Sequence, residues 1–374
     1  MKVSEFKTAD IKTTTDKEDL VFINVDDAPF RIYGVYRDGD RYRRLPSSVA
    51  EQCNDSLKLY QAVTAGGRVR FVTTSAYISV RVTLTGTARN DLMTDITASG
   101  VDVYVGGMYR STVKNNPIFD AKTGEILPGI MESAGGGVRE VKPCEEPTFE
   151  ALVTLGDTKG QTVTLNMPVF NGVKEMYVGV QKDAEISHAP DYKLEKPVLF
   201  YGSSITHGAS ASRPGLIYEN LLSRELDFNY INLGFGGGAK GEDAIAEYVA
   251  SLDVSAFVFD YDHNAPTPEH LLETHERMFL KFRLKHPGTP VLMLSRPYGR
   301  LDSNIKRRQE IIKRTYDNAV ARGDKNVYIV LGTEFFPEEL GGDFSIDGCH
   351  PNDIGFRFMA DAIKPVLAKM IEKL

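Results

Sequence analysis

A serine-bearing turn, Gly202-Ser203-Ser204-Ile205-Thr206-His207-Gly208, follows the apolar run Val198-Leu199-Phe200-Tyr201 and precedes an amphipathic stretch. Strand, tight turn and helix in that order place a hydroxyl beyond the carboxyl end of a sheet strand, where open α/β sheets bind ligands. A hydroxyl in that position is a candidate nucleophile. It then requires a base, a group that orients the base, and donors for a developing oxyanion. Asp347-Gly348-Cys349-His350 can supply the first two. Three residues of loop let a carboxylate reach the imidazole Nδ1 and leave Nε2 free to face a serine. Taken alone this DxxH also reads as a solvated carboxylate beside a helix-capping histidine. Pro351, next in the chain, is a residue favoured in the first turn of a helix.

Two loops offer oxyanion donors. Asn232-Leu233-Gly234-Phe235-Gly236-Gly237-Gly238 contains glycines that could present a backbone N–H with no side chain in the way, although the run also reads as a flexible βα turn. Asp260-Tyr261-Asp262-His263-Asn264 follows the next apolar run, which puts Asn264 at the same sheet edge. Its other reading is an Asx turn ahead of Pro266. Gly236 to Gly241 matches GxGxxG, a dinucleotide signature. That run sits in the second βα unit, while the first carries the serine turn, so nucleotide binding is disfavoured. His270 and His275 are five apart and do not share a helix face. His207 and His263 could approach the site, His188 and His286 read as surface residues, and no third ligand is apparent. The expectation is therefore no metal and no cofactor.

The elements that must position these residues change character near residue 190. Before it, period-two alternation dominates: Ile78, Val80, Val82 and Leu84 alternate with Ser79, Arg81 and Thr83, and Val163, Leu165 and Met167 with Thr162, Thr164 and Asn166. Such strands bury one face and expose the other. Glycine clusters at 66–67, 106–107 and 135–137 punctuate them, which predicts a β-sandwich or jelly roll over residues 1–190. Residues 183–197, polar and carrying two prolines, read as a linker. Beyond it, strands are predicted at 198–201, 229–233, 255–260, 290–295 and 326–331. Helices are predicted at 214–226, 242–250, 267–285, 304–322 and 353–373. This alternation implies a parallel sheet covered by helices over 191–374.

A chain of 374 residues suits two such domains. Its net charge of -7 argues against nucleic acid as the main partner. Lys306-Arg307-Arg308 and Lys313-Arg314 read as the solvated face of a helix. No apolar run approaches the roughly 18 residues of a membrane span. The first residues lack the apolar core of a signal peptide, so a cytoplasmic location is expected, or a secreted or periplasmic one if a leader has been removed. The three cysteines, Cys53, Cys144 and Cys349, form no CxxC pair and are read as reduced thiols. Oligomeric state is left open, with a homo-oligomer allowed.

Together these blocks resemble the SGNH, or GDSL-like, hydrolases. The resemblance implies a flavodoxin-like three-layer α/β/α hydrolase domain with a parallel sheet, preceded by a jelly-roll-like β-sandwich. It makes Ser204, in Gly202-Ser203-Ser204, the nucleophile, with Asp347 and His350 completing the triad. Ser204, Gly237 and Asn264 become the oxyanion hole. The usual Gly-Asp-Ser has lost its aspartate to Ser203, and Asp262-His263-Asn264 lacks the glycine that usually precedes the asparagine. Thr206 also replaces the last glycine of GxSxG, which disfavours an α/β-hydrolase elbow. Gly100-Val101-Asp102-Val103-Tyr104 resembles the GxDLY signature of the β-rich domain that precedes some of these esterases. Asp102 and Tyr104 read equally as a strand with one buried and one exposed face. The implied activity is hydrolysis of a short acyl ester on a small molecule or oligosaccharide, with an O-acetylated carbohydrate the first choice by resemblance. No long apolar stretch suggests a lipase lid, which favours a small acyl group on a polar scaffold. A thioesterase or other short-chain esterase is the enzymatic alternative. A non-catalytic carbohydrate-binding protein is the alternative of another class.

Overall fold

The structure, a computed structural model, describes residues 1–88, 91–114, 119–120, 147–297, 302–337 and 342–374. The glycines at 135–137 and Cys144 lie outside the described residues. The chain divides into two compact units, residues 1–43 with 67–190, and residues 44–66 with 191–374. The second unit thus takes in 23 residues (44–66) that the sequence reading assigned to the first. The supposed linker is also structured at both ends: Ile186–His188 pairs with the strand Arg68–Thr73, and Leu194 already belongs to the strand that runs to Gly202.

The first unit is a sandwich of two antiparallel sheets. Its eight principal strands are Leu20–Asn24, Arg68–Thr73, Tyr77–Leu84, Val101–Val105, Met108–Val113, Pro147–Thr154, Thr162–Asn166 and Val173–Gln181. Numbered in that order, one sheet reads 1-8-3-6 and the other 2-7-4-5, the connectivity of a jelly roll. Period-two alternation places Ile78, Val80 and Val82 from one sheet and Val69, Phe71, Val163 and Leu165 from the other in a common core. The polar face of the strand Tyr77–Leu84 is not open to solvent, however. Ser79, Arg81 and Thr83 are buried. Ser79 donates to Glu150 at 2.8 Å, Arg81 pairs with Glu150 at 3.4 Å, and Thr83 meets Thr148 at 3.0 Å. Asp102 and Tyr104 also differ from expectation: every residue of Val101–Val105 is buried, so this strand exposes neither face.

The second unit carries five parallel strands, Leu194–Gly202, Phe228–Gly234, Ala256–Asp260, Val291–Leu294 and Val327–Val330. Their spatial order is second, first, third, fourth, fifth, the flavodoxin-like arrangement. Val198 to Tyr201 and Ala256 to Asp260 are buried almost completely, as strands covered on both faces must be. Helices Tyr218–Leu226, Asp243–Ser251, Pro268–Lys285, Ser303–Ala321 and Asp353–Ile371 alternate with the strands. Among the described residues, no helix is long and apolar enough to cross a membrane.

The last helix matters most to the site, because it follows the DxxH loop directly. Asn352 caps it, accepting from Ile354 and Gly355 N–H groups, so Pro351 lies one residue before the cap and not inside the first turn. Glu225, at the end of the helix Tyr218–Leu226, ties down the other face through Arg357 and through Lys364 at 2.8 Å. The Arg357 hydrogen bond, with help from Lys364 and against the effect of burial, holds the Glu225 carboxyl down at about 2, below its ordinary 4.5. A carboxylate with a depressed folded-state pKa contributes stability above its unfolded value and loses it as pH falls toward the folded one. Glu225→Gln is therefore expected to lower Tm at pH 7, with the difference from wild type closing between about pH 4.5 and pH 2. A Tm difference that stays constant over that interval would show that the ion pair is not its source.

Candidate active site

The carboxyl edge of the parallel sheet gathers the loops that follow its first, second and third strands. After the first strand the chain turns into the short helix Ser204–His207. Ser203 is the N-cap of that helix: its buried Oγ accepts from Ile205 N–H at 3.2 Å. Ser203, where the resemblance would place an aspartate, thus caps the helix, a role that serine and aspartate share. Ser204, one residue on, turns the other way. Its Oγ lies 2.8 Å from His350 Nε2. The two serines are distinguished by this geometry.

His350 is held by Asp347 in a tight polar loop. Asp347 Oδ1 accepts from the backbone N–H groups of Cys349 at 2.9 Å and His350 at 2.7 Å, and Oδ2 lies 2.8 Å from His350 Nδ1. Gly348 permits the turn with a φ of 80°. Burial works against the Asp347 charge. The hydrogen bonds from His350 and Cys349 outweigh it, and the carboxyl is held below its ordinary value. An ionised Asp347 requires a proton on Nδ1, which leaves the Nε2 lone pair facing the Ser204 hydroxyl. That is the tautomer a general base needs.

Three candidate donors lie in the loops at this edge of the sheet. Ser204 N–H lies in the first turn of its helix, Gly237 N–H in the loop after the second strand, and the Asn264 amide after the third. Asn264 Oδ1 accepts from Ala239 N–H at 3.2 Å, which orients Nδ2 as the free end of the amide. Among the described residues no protein acceptor takes the Ser204 N–H, the Gly237 N–H or the Asn264 Nδ2. Three unsatisfied donors in loops that adjoin one another suit a developing negative charge. The loop before Asn264, which carries His263 where the resemblance would place glycine, is held by hydrogen bonds. Arg308 donates to the carbonyls of Asp262 and Ala265, and the Asp262 carboxylate accepts the Arg296 N–H at 3.1 Å.

Neighbouring titratable groups stay out of the chemistry. Burial, aided by the Arg296 charge, drives the His263 imidazole well below its usual pKa, so it is neutral where its Nδ1 lies 3.6 Å from Cys349 Sγ. Burial raises the Cys349 thiol, so it is no rival nucleophile. Burial likewise pushes the Asp260 carboxyl up, reinforced by the charge of Asp262. The other histidines are occupied elsewhere. His207 Nδ1 accepts weakly from Gly236 N–H at 3.4 Å, His270 meets Lys240 O at 2.8 Å, and His275 meets Thr315 at 2.9 Å. His286 is packed on Phe282 and reaches Ala250 O at 3.1 Å, whereas His188 is exposed.

A description for the GDSL-like lipase/acylhydrolase family matches residues 195–368, and one for the GxDLY N-terminus of SGNH-hydrolase-type esterases matches residues 20–122. The chain carries a GDSL-like lipase/acylhydrolase domain behind the GxDLY N-terminus of SGNH-type esterases. Among solved structures, this chain is similar to a protein of Bacteroides ovatus described as a GDSL-like lipase, at 25% identity, over 94% of this chain and 98% of that one, with a TM-score of 0.76. It shares its fold with the salicylyl-acyltransferase of a tetracycline biosynthetic pathway, at 17% identity, 95% and 98% coverage and a TM-score of 0.72. A family two carbohydrate esterase of Clostridium thermocellum, solved with cellohexaose, has the same fold at 12% identity, 92% and 100% coverage and a TM-score of 0.59. No match was found among curated proteins.

The sequence reading missed what surrounds the glycine loop of this esterase unit. Arg44, only 2% exposed, donates from Nη1 to Asn232 O, Asn232 Oδ1 and Gly234 O at 3.0 to 3.1 Å, and from Nη2 to Tyr60 O at 3.0 Å. Burial lowers its pKa to about 9, partly offset by Glu219, so it keeps its charge at neutral pH. Leu45, Ala50 and Leu57 pack into the core of the hydrolase unit, and Tyr60 meets His207 edge-on at 4.9 Å. The signal was present: Asn54-Asp55-Ser56 with Leu57 and Tyr60 three apart is a capped amphipathic turn in a β-rich stretch. The structure shows that turn as the helix Asp55–Tyr60, capped by Asn54.

Proposed function

We propose that the protein is a serine esterase that removes short acyl groups, chiefly acetyl, from a carbohydrate through an acyl-enzyme on Ser204. The observation that carries this reading is the line Asp347–His350–Ser204, closed by contacts of 2.8 Å on each side of the imidazole. In the first step His350 Nε2 takes the Ser204 proton as Oγ bonds to the ester carbonyl carbon. Asp347 stabilises the imidazolium, and the N–H groups of Ser204 and Gly237 with the Asn264 amide receive the oxyanion. The C–O bond to the alcohol breaks, and His350 returns its proton to the leaving oxygen. Water then attacks the acyl-enzyme, with His350 again as base, releasing the acid and free Ser204.

Support for the substrate class comes from the names of fold relatives: carbohydrate esterases of family two, and an acetyl xylan esterase of Butyrivibrio proteoclasticus. A non-catalytic carbohydrate-binding role has no need for a base, its orienter and three unpaired donors in one place. The test is a panel of acetylated sugars, nitrophenyl esters of rising acyl length, and acetyl-CoA. Acetate release from the sugars, with rates on the nitrophenyl series falling beyond acetyl or propionyl, is the expected result. A maximum at octanoyl or longer, or a preference for the thioester, would contradict the proposed substrate.

A further inference from the structure

The loop that offers Gly237 is a run of three glycines, Gly236-Gly237-Gly238, closed as a turn by Gly238 N–H donating to Phe235 O at 3.0 Å, a bond that does not engage the central peptide between Gly236 and Gly237. Glycine on both sides of a peptide bond makes rotation of that plane cheap, because no Cβ penalises either orientation. Yet the oxyanion role assigned to Gly237 depends on which way one plane faces. In a trans peptide the carbonyl of residue 236 and the N–H of residue 237 point in opposite directions. Whatever fixes Gly236 O therefore aims Gly237 N–H.

Ser56 does this. Its Oγ donates to Gly236 O at 2.6 Å. Gly237 then adopts a φ of 69°, and a Cβ added to it would meet nothing closer than Ser56 Oγ at 3.7 Å. On the far side, a Cβ at Gly236 would stand 3.7 Å from Ser204 Cβ and 3.6 Å from the Tyr60 ring, so the loop runs beside the reacting serine. The flanking planes have anchors from the same segment. Arg44 holds Gly234 O at 3.0 Å, and Asn54 Nδ2 holds Gly238 O at 2.9 Å. Gly238 admits no side chain, because a Cβ there would lie 2.6 Å from Ser56 Cβ. Carbonyls 234, 236 and 238 are thus held in turn by Arg44, Ser56 and Asn54, and among the described residues only Ser56 grips the peptide that carries the Gly237 N–H.

We propose that Ser56 is a positioning residue for the oxyanion donor, and that residues 44–66 are a brace for the glycine loop that the hydrolase unit takes from the amino-terminal half of the chain. The inference rests on the serine-esterase reading above. Its test compares wild type with Ser56→Ala in the full chain, using nitrophenyl acetate as substrate and phenylboronic acid as a probe that forms a tetrahedral, anionic adduct on a nucleophilic serine. Asn54 still caps the helix Asp55–Tyr60 in this variant, so the fold and Tm are expected to survive. Direct loss of an oxyanion donor costs about 10²–10³ in kcat, so loosening one is expected to cost about 10–100-fold, with KM within about twofold. The inhibition constant for phenylboronic acid should rise by a similar factor.

Unchanged kcat and unchanged boronate inhibition would overturn the proposal. So would a loss of activity carried by KM, with boronate inhibition unaltered, since that is the mark of a general structural role. Ser204→Ala run in parallel separates the levels. If it is inactive while Ser56→Ala behaves as wild type, only the role of Ser56 fails. If Ser204→Ala keeps wild-type activity, the esterase reading fails and takes this inference with it.

Discussion

Replacing Ser204 with alanine lowers kcat for nitrophenyl acetate by on the order of 10⁵ or more, and leaves Tm close to wild type. The size follows from what is removed. Without Oγ there is no covalent intermediate, and His350 can at best activate water against the ester from a position set for a serine. What survives is the acceleration that oxyanion donors and binding give alone, about 10³–10⁴ over the uncatalysed reaction. The fold is spared because, among the described residues, the only hydrogen bond of Ser204 Oγ is to His350, at 2.8 Å, while the cap of the short helix belongs to Ser203. A Ser203→Ala variant would show the reverse pattern, so the pair reads out which serine reacts. Wild-type kcat in Ser204→Ala, in a preparation free of other esterases, would refute the assignment.

Asp347→Asn is expected to cost about 10⁴ in kcat with little change in structure. Asparagine keeps an oxygen for the backbone N–H groups of Cys349 and His350, which Asp347 Oδ1 now accepts at 2.9 and 2.7 Å. Its amide nitrogen then takes the place of Oδ2, which lies 2.8 Å from His350 Nδ1. An N–H donor there favours the lone pair on Nδ1 and moves the ring proton to Nε2. Nε2–H would then donate to Ser204 Oγ where Nε2 should accept its proton, and the base would be gone. The variant should still bind substrate, with KM changed far less than kcat. A loss below tenfold would mean that Asp347 does not set the tautomer.

The parallel half of the molecule was legible because its physics is local. Apolar runs long enough for a doubly covered strand predicted 229–233 and 290–295, and the strands are Phe228–Gly234 and Val291–Leu294. The first strand was read too short. Lys196 and Pro197 disguise its beginning, which pairs as far back as Leu194 across a register shift. Helix signals placed the last helix at 353–373 against Asp353–Ile371. The sequence also singles out Ser204, His350 and Asp347, which the structure brings into one hydrogen-bonded line. Choosing Ser204 over Ser203 still leaned on resemblance, since spacing alone cannot say which hydroxyl caps the helix.

What escaped the sequence reading depends on partners far away in the chain. Ser79, Arg81 and Thr83 alternate with valine and isoleucine as an exposed face would, yet Glu150 and Thr148 give them buried partners. Arg44 looks like a surface residue in Arg43-Arg44-Leu45 until Asn232 and Gly234, nearly two hundred residues on, present carbonyls to it. Such a buried guanidinium is tolerated only with its donors matched. No local pattern shows the match.

The proposed chemistry turns on one bond, between Ser204 Oγ and a substrate's acyl carbon. The most direct measurement is therefore the intact mass of the protein after treatment with a serine-directed fluorophosphonate, followed by peptide mapping. The account predicts one adduct per chain, mapped to the peptide that contains Ser204, formed in step with loss of esterase activity and absent in Ser204→Ala. Full activity without labelling, or a label that persists in Ser204→Ala while activity is lost, would contradict it.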